Sequence, residues 1–388
     1  MSCYISSREN RFYGAKESLY GQPAAVVKGN EFNAIRLNIR EQTEQLERRD
    51  KTGTRTFRGT SGRRRKTVEF SVETYFSTSA APAPQAGFLV EAALGAAPRQ
   101  SQSGTATLAQ AGRRLVFANN HGLTPNQAVA TASEVRFVEA VPSETAVVLN
   151  APLPGIEGQP VTLRPAITYS PSAELPSVTL YDYWAQNGGI HRLVRGGGVD
   201  RLEVEIAGDF HTMRFQGGAA ELLDSASFEA GQGGLSQYPA EPTGTSFAAE
   251  PIPGHLGQLW LGPLPERIYT LTKGKLTVDN GLSMRNREFG SWTPTCLTPG
   301  ERTVTAQFEM YARGTQAYRA LYQASRTRTP ISLAVQLGEK AGQMCCIYFP
   351  AFVPEVPEFQ DQEERQLWSF GASRAQGSAE DEIHVAFA

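Results

Sequence analysis

The residues with the chemical reach to bind or react are concentrated in one segment. Between positions 48 and 66 stand nine basic residues, Arg48, Arg49, Lys51, Arg55, Arg58, Arg63, Arg64, Arg65 and Lys66, against one acid, Asp50. Such a run offers charge-assisted hydrogen bonds to phosphates or carboxylates, and arginine's planar fork suits either. A binder of single-stranded nucleic acid would interleave aromatic rings for base stacking, and this segment has only Phe57. A carboxylate-bearing protein surface fits the segment better than a polyanion does.

Elsewhere no constellation for catalysis forms. The five histidines, His121, His191, His211, His255 and His384, never fall three or four residues apart, and the four cysteines, Cys3, Cys296, Cys345 and Cys346, show no metal spacing. Carboxylates cluster at Glu363-Glu364 and at Glu380-Asp381-Glu382. Paired carboxylates serve acid–base chemistry only beside groups that part their pKa values, and none is in sight. Walker, Gly-x-Ser-x-Gly and His-Glu-x-x-His patterns are missing. Gly231-Gln232-Gly233-Gly234 reads as a flexible linker and Gly196-Gly197-Gly198 as a tight β-turn. The expectation is no enzyme, no cofactor and no metal.

The elements that must position the basic segment occur twice. Residues 32–75 run as an alternating strand (Ile35, Leu37, Ile39), a long polar segment and a second alternating strand. Residues 268–311 repeat that order, with Leu276 and Val278 in the first strand and a polar segment over 279–300. An offset of 236 lays Thr67 on Thr303, Val68 on Val304, Val72 on Phe308 and Tyr75 on Tyr311. A short amphipathic helix follows each copy, with stripes at Ala86, Leu89, Val90 and Ala93, and at Ala317, Ala320, Leu321 and Ala324. The second loop is far less basic than the first, so nucleic-acid binding is not what the two copies share.

Period-two stretches recur, as at Leu202, Val204 and Ile206, and over 134–149 as two strands joined at Pro142-Ser143. With 37 Gly and 24 Pro as punctuation, the chain reads as mainly β with a short helix per repeat. At 388 residues it is long enough for two domains, and its net charge of −2 favours neither nucleic acid nor membrane. No apolar run is long enough to span a bilayer, and residues 1–30 lack the apolar centre of a signal peptide, so a soluble chain is expected. The expected division is a polar N-terminal arm over 1–30, a first domain over 31–245 with an enlarged insertion at about 99–180, and a second domain over 246–388. The Gly-, Ser- and Pro-rich stretch within 225–254 is the expected linker, with the domain boundary near 241–254.

The stretches FNAIRLNIREQTEQLERRDKTGTRTFRG, KGKLTVDNGLSMRNREFGSWTP and EERQLWSFGASRAQGSAEDEIHVAF resemble bacteriophage tail tube proteins of the two-domain kind. The resemblance follows the family's segment order from about 32 to 388, and it implies two tandem β-sandwich or partial-barrel domains, each with a flanking helix and a long hairpin loop. It implies a structural subunit in which three chains form a pseudo-sixfold ring, with rings stacked into a channel for DNA. The expected partners are the chain itself, a tape measure protein in the lumen, and terminator and distal tail proteins at the ends. DNA would pass without specific binding, and no membrane is involved. The expected location is the virion tail, after synthesis in the host bacterial cytoplasm. Inter-ring contacts are expected from the nine basic residues of the first loop and from Arg285 and Arg287 of the second. Lumen-facing candidates are Glu69, Ser71, Glu73, Thr305, Gln307 and Glu309. A distal tail or baseplate hub ring protein on the same fold is the alternative.

Overall fold

A computed structural model of the chain describes residues 4–44, 50–51, 53–56, 65–78, 83–184, 189–206, 208–244, 250–262, 266–285, 288–362 and 364–388. It is mainly β, with two α-helices among the described residues. Eight strands matter most: β1 (Arg36–Thr43), β2 (Lys66–Tyr75), β3 (Arg192–Ile206), β4 (Thr212–Ala219), β5 (Leu271–Asp279), β6 (Thr303–Tyr311), β7 (Glu358–Gln362) and β8 (Arg365–Gln376). They pair antiparallel in the order β1-β2-β4-β3-β5-β6-β8-β7, a continuous wall.

The repeat sets this order. Hairpin β1–β2 pairs onward to β4, and hairpin β5–β6 pairs onward to β8, through corresponding registers. Val68, Phe70 and Val72 of β2, and Val304, Ala306 and Phe308 of β6, all turn one way and are buried. Alternation puts their neighbours on the opposite face. One apolar core runs behind both hairpins, because Leu37, Phe70 and Phe215 belong to the same packed cluster as Leu276, Phe308 and Phe370.

Each hairpin is followed by its helix. Helix α1 (Gly87–Leu94) is buried almost all round, since Leu89, Val90, Ala92, Ala93 and Leu94 are all inaccessible to solvent. Helix α2 (Gln316–Thr327) is a surface helix, burying Ala317, Tyr318, Leu321 and Ala324 while Arg319 and Gln323 face out.

Five expectations meet a different geometry. The stretch expected as a polar N-terminal arm contributes a strand to the fold: Arg11–Lys16 pairs with Val178–Tyr183, with Tyr13 fully buried. The separate insertion is narrower than 99–180. Six strands between Gly104 and Leu163 form a sheet with its own core of Leu108, Leu115, Val129, Val138 and Leu149, and Ala166–Tyr169 and Val178–Tyr183 return to the main sheet. Within it, the strands Val135–Ser143 and Ala146–Leu149 turn two residues later than the proline marks.

Gly196-Gly197-Gly198 is not a turn. It lies inside β3, where the strand leaves Val178–Tyr183 and joins β4 and β5. Gly196 has φ +62°, and a Cβ on Gly217 would stand 1.9 Å from the Gly198 carbonyl oxygen. Only residues without side chains let one strand bend between two sheets this closely. The linker stretch is also tied down. Glu241 pairs with Arg11, Glu250–Pro251 pairs with Ser77–Thr78, and Ile252 is buried.

Candidate assembly surface

The wall's second face carries the candidates. Glu69, Ser71 and Glu73 on β2, and Thr305, Gln307 and Glu309 on β6, all lie opposite the core-facing residues, exposed or half-buried. Register then decides what they meet. Glu73 stands opposite Arg36 and the two pair at 2.7 Å, while Glu69 stands opposite Arg40. Glu309 stands opposite Lys273 and pairs at 3.0 Å. Across β3 and β5, Lys275 reaches Glu203 at 2.9 Å and Arg201 reaches Asp279 at 2.5 Å. The carboxylates of β2 and β6 therefore stand on a charge-paired face, because neighbouring strands supply cations. Each exposed pair adds little stability, but together they leave no strong field of either sign.

The junction between the repeats is the most specific feature of this wall. β3 and β5 pair over six residues, from Arg201 opposite Asp279 to Ile206 opposite Gly274. On the core side Leu202 and Val204 close against Val278 and Leu276, all buried; on the other side the ion pairs just named bridge the strands. Asn280, only 2% exposed, locks the end of this seam. Its amide donates to the carbonyls of Ala93 (2.9 Å) and Val199 (3.1 Å), and its oxygen accepts from Arg302 Nε at 3.3 Å. Sequence reasoning missed Asn280; the turn-like Asp279-Asn280-Gly281 was its only signal.

The hairpin loops differ. In the first, Arg48, Arg49, Arg58, Arg63 and Arg64 lie outside the described residues, and Lys51 and Arg55 are exposed. Arg65 is half-buried at the base, and Lys66 pairs with Glu41 of its own hairpin at 3.0 Å. In the second, Arg285 is exposed and Arg287 lies outside the described residues. That loop folds back on the wall: Ser283–Met284 pairs with Leu297–Thr298, and Leu282 and Leu297 pack on Gly198 while Met284 packs on Gly218. Phe289 projects at its far end, fully exposed.

The C-terminal carboxylate cluster is structural, and Glu363 of the other cluster lies outside the described residues. Glu380 and Glu382 both accept from Arg302 Nη1, at 2.6 and 3.1 Å, and Asp381 caps the Ser378 N–H at 2.7 Å. Burial pushes the Cys346 thiol up to about 12 and the buried His384 imidazole down to about 4, states that suit neither nucleophile nor base at neutral pH. Among the described residues no group of three or more His, Cys, Asp or Glu could hold a metal ion, and no helix is long and apolar enough to cross a membrane.

Set beside known proteins, the chain matches a family model described as phage tail tube protein over residues 7–383. No curated protein matches it.

Proposed function

The chain belongs to the phage tail tube protein family, a structural component of the virion tail, and on that premise we propose that three copies close into a ring and that rings stack into the tube. The observation that carries this is the wall itself. Two repeats are already joined edge to edge through β3 and β5, and the wall ends in strands bonded on one side only, β1 and β7, among the described residues. Open edges of this kind invite another strand, and a closed ring removes them. Two repeats per chain make three chains the number that gives six repeats, and a cyclic arrangement uses the same contact at every step.

The charge-paired face would line the lumen, with Glu69, Ser71, Glu73, Thr305, Gln307 and Glu309 among its residues. DNA would then meet a polar surface on which Arg36, Lys273, Lys275 and Arg201 are already paired with neighbouring carboxylates. Arg48, Arg49, Lys51, Arg55, Arg58, Arg63, Arg64, Arg65, Lys66, Arg285 and Arg287 would serve contacts between rings. Lys66 would do so through its hairpin's position, since its charge is held by Glu41. A tape measure protein inside the lumen and terminator and distal tail proteins at the ends complete the proposed set of partners.

Electron microscopy of the purified chain in negative stain tests this reading. Long hollow tubes are expected; discrete single rings would instead favour a distal tail or baseplate hub role, and single chains would overturn the tube. A variant with Arg63, Arg64 and Arg65 changed to Glu should still form rings but stack poorly. Tubes of undiminished length from it would remove the first loop from the inter-ring contact.

A further inference from the structure

The internal junction is a template for the external one. Antiparallel pairing alternates residues whose N–H and C=O point to one neighbour with residues pointing to the other. The Glu44 N–H donates to the Arg65 carbonyl at 3.0 Å, so the even residues of β1 bond β2 while Leu37, Ile39 and Glu41 turn outward. The Ala312 N–H donates to the Gln366 carbonyl at 2.9 Å, so the even residues of β8 bond β6 and its odd residues bond β7. Glu358 and Gln360, opposite Ser369 and Leu367, are therefore bonded, while Phe359 and Asp361 turn outward.

The repeat then fixes which outward groups meet. Ile39 stands opposite Phe70 as Leu276 stands opposite Ala306, and Phe70 and Ala306 are equivalent under the 236-residue offset. Ile39 thus occupies the place of Leu276. On the other side, Thr74 pairs with Met213 as Met310 pairs with Trp368, and these face Val204 and Phe359 respectively. Phe359 thus occupies the place of Val204. In the internal junction Val204 pairs with Leu276.

We propose, resting on the tube reading, that β7 of one copy adds antiparallel to β1 of the next in one register: Phe359 opposite Ile39, Glu358 opposite Arg40, Gln360 opposite Asn38 and Asp361 opposite Leu37. Two independent features agree with it. The register brings outward-turned residues onto outward-turned residues, which a one-residue slip would not. It also sets the Glu358 carboxylate across from the Arg40 guanidinium on the polar face, the counterpart of the Lys275–Glu203 and Arg201–Asp279 bridges. On the core face Phe359 is 54% exposed, whereas its internal counterpart Val204 is 2% exposed. Phe359 already stacks on Trp368 at 5.5 Å and lies 5.7 Å from Tyr322, so the ring is held in place for a neighbour to cover it.

Residues 358 and 40 form a pair not hydrogen-bonded to each other, whose Cα atoms approach to about 4.5 Å and accept a disulfide. The test takes full chains carrying Cys3→Ser and Cys296→Ser, with Glu358→Cys combined in turn with Arg40→Cys, Asn38→Cys or Gln42→Cys. Each is assembled under reductant, checked for tubes by microscopy, then oxidised and run on a non-reducing gel. The expected result is a covalent ladder ending at three chains for the 358/40 pair and near loss of it for the slipped pairs. Tubes that cross-link better through 38 or 42, equally through all three, or not at all would overturn the register while leaving the tube intact. Single chains from the unmodified sequence would overturn the tube and this junction with it. Charge reversal supplies a second readout. Arg40→Glu or Glu358→Arg alone should raise the critical concentration for assembly about fivefold, and the two together should restore it; no recovery in the double variant would count against the pairing.

Discussion

Asn280 is where a single side chain holds the two repeats together. It satisfies two backbone carbonyls, of Ala93 after the first hairpin and of Val199 in β3, from a position at the end of β5. Replacing it with Leu leaves both carbonyls without that donor in a buried place, so Asn280→Leu should lower unfolding free energy by about 2–3 kcal/mol in a urea titration. His384 gives a second prediction at this scale. It is 2% exposed, Nδ1 lies 2.9 Å from Ser170 Oγ, and burial, with Arg99 nearby, lowers its pKa from 6.5 to about 4. The unfolded chain therefore binds a proton in a range where the folded chain does not. Stability is full above about pH 6.5 and falls as the pH drops toward 4, with about 2 kcal/mol lost by pH 5. The buried His211, also lowered by burial, acts in the same direction. His384→Asn should flatten this slope when unfolding midpoints at pH 7 and pH 5 are compared.

At the scale of elements, the six-stranded insertion is fastened by a buried ionic network. Arg136, 1% exposed, donates to Glu134 at 2.6 Å and to the carbonyls of Val135 (2.8 Å) and Pro152 (3.1 Å), and its guanidinium lies 4.7 Å from the Trp260 ring. Glu134 also accepts from Gln258, and Gln336 accepts the Val135 N–H at 2.9 Å. Arg136→Met strands the Glu134 carboxylate and should cost about 3–5 kcal/mol, with faster proteolysis within 104–163; adding Glu134→Gln should recover part of that. The hairpins and helix α2 were legible in the sequence because period-two and period-3.6 patterning survives wherever one face is buried. Leu37, Val68, Val72, Val304 and Phe308 announce their strands in this way. Helix α1, expected to be amphipathic, is instead buried on nearly every side and has no polar face. β7 was not legible. Its single apolar residue, Phe359, sits at an edge whose burial needs a neighbour, so Glu358-Phe359-Gln360 carries almost no alternation. The triple glycine misled for a related reason, since glycines in a strand that changes sheets and glycines in a turn look alike from sequence. That Glu69, Ser71, Glu73, Thr305, Gln307 and Glu309 lie opposite the core was legible, but their electrostatics was not, because the cations answering them come from β1 and β5.

Across the whole molecule, the repeat makes one chain a rehearsal of its own assembly. The β3–β5 seam joins two repeats, and β1 and β7, each paired on one side among the described residues, are the edges that the proposed ring would join. Phe359→Asp should leave the chain folded, since the residue is more than half exposed, yet raise the concentration needed for assembly; light scattering during polymerisation reads this directly. The first loop is basic and the second is not, so the proposed ring would alternate in charge while its sheet repeats nearly evenly. On the proposed assembly, three walls of eight strands would give a closed barrel of twenty-four. A cryo-electron reconstruction of the assembled tube tests this most directly. It should contain three chains per ring, a continuous twenty-four-stranded wall, and β7 of each chain hydrogen-bonded to β1 of the next. Six chains per ring, or walls separated by a gap at β7 and β1, would contradict it.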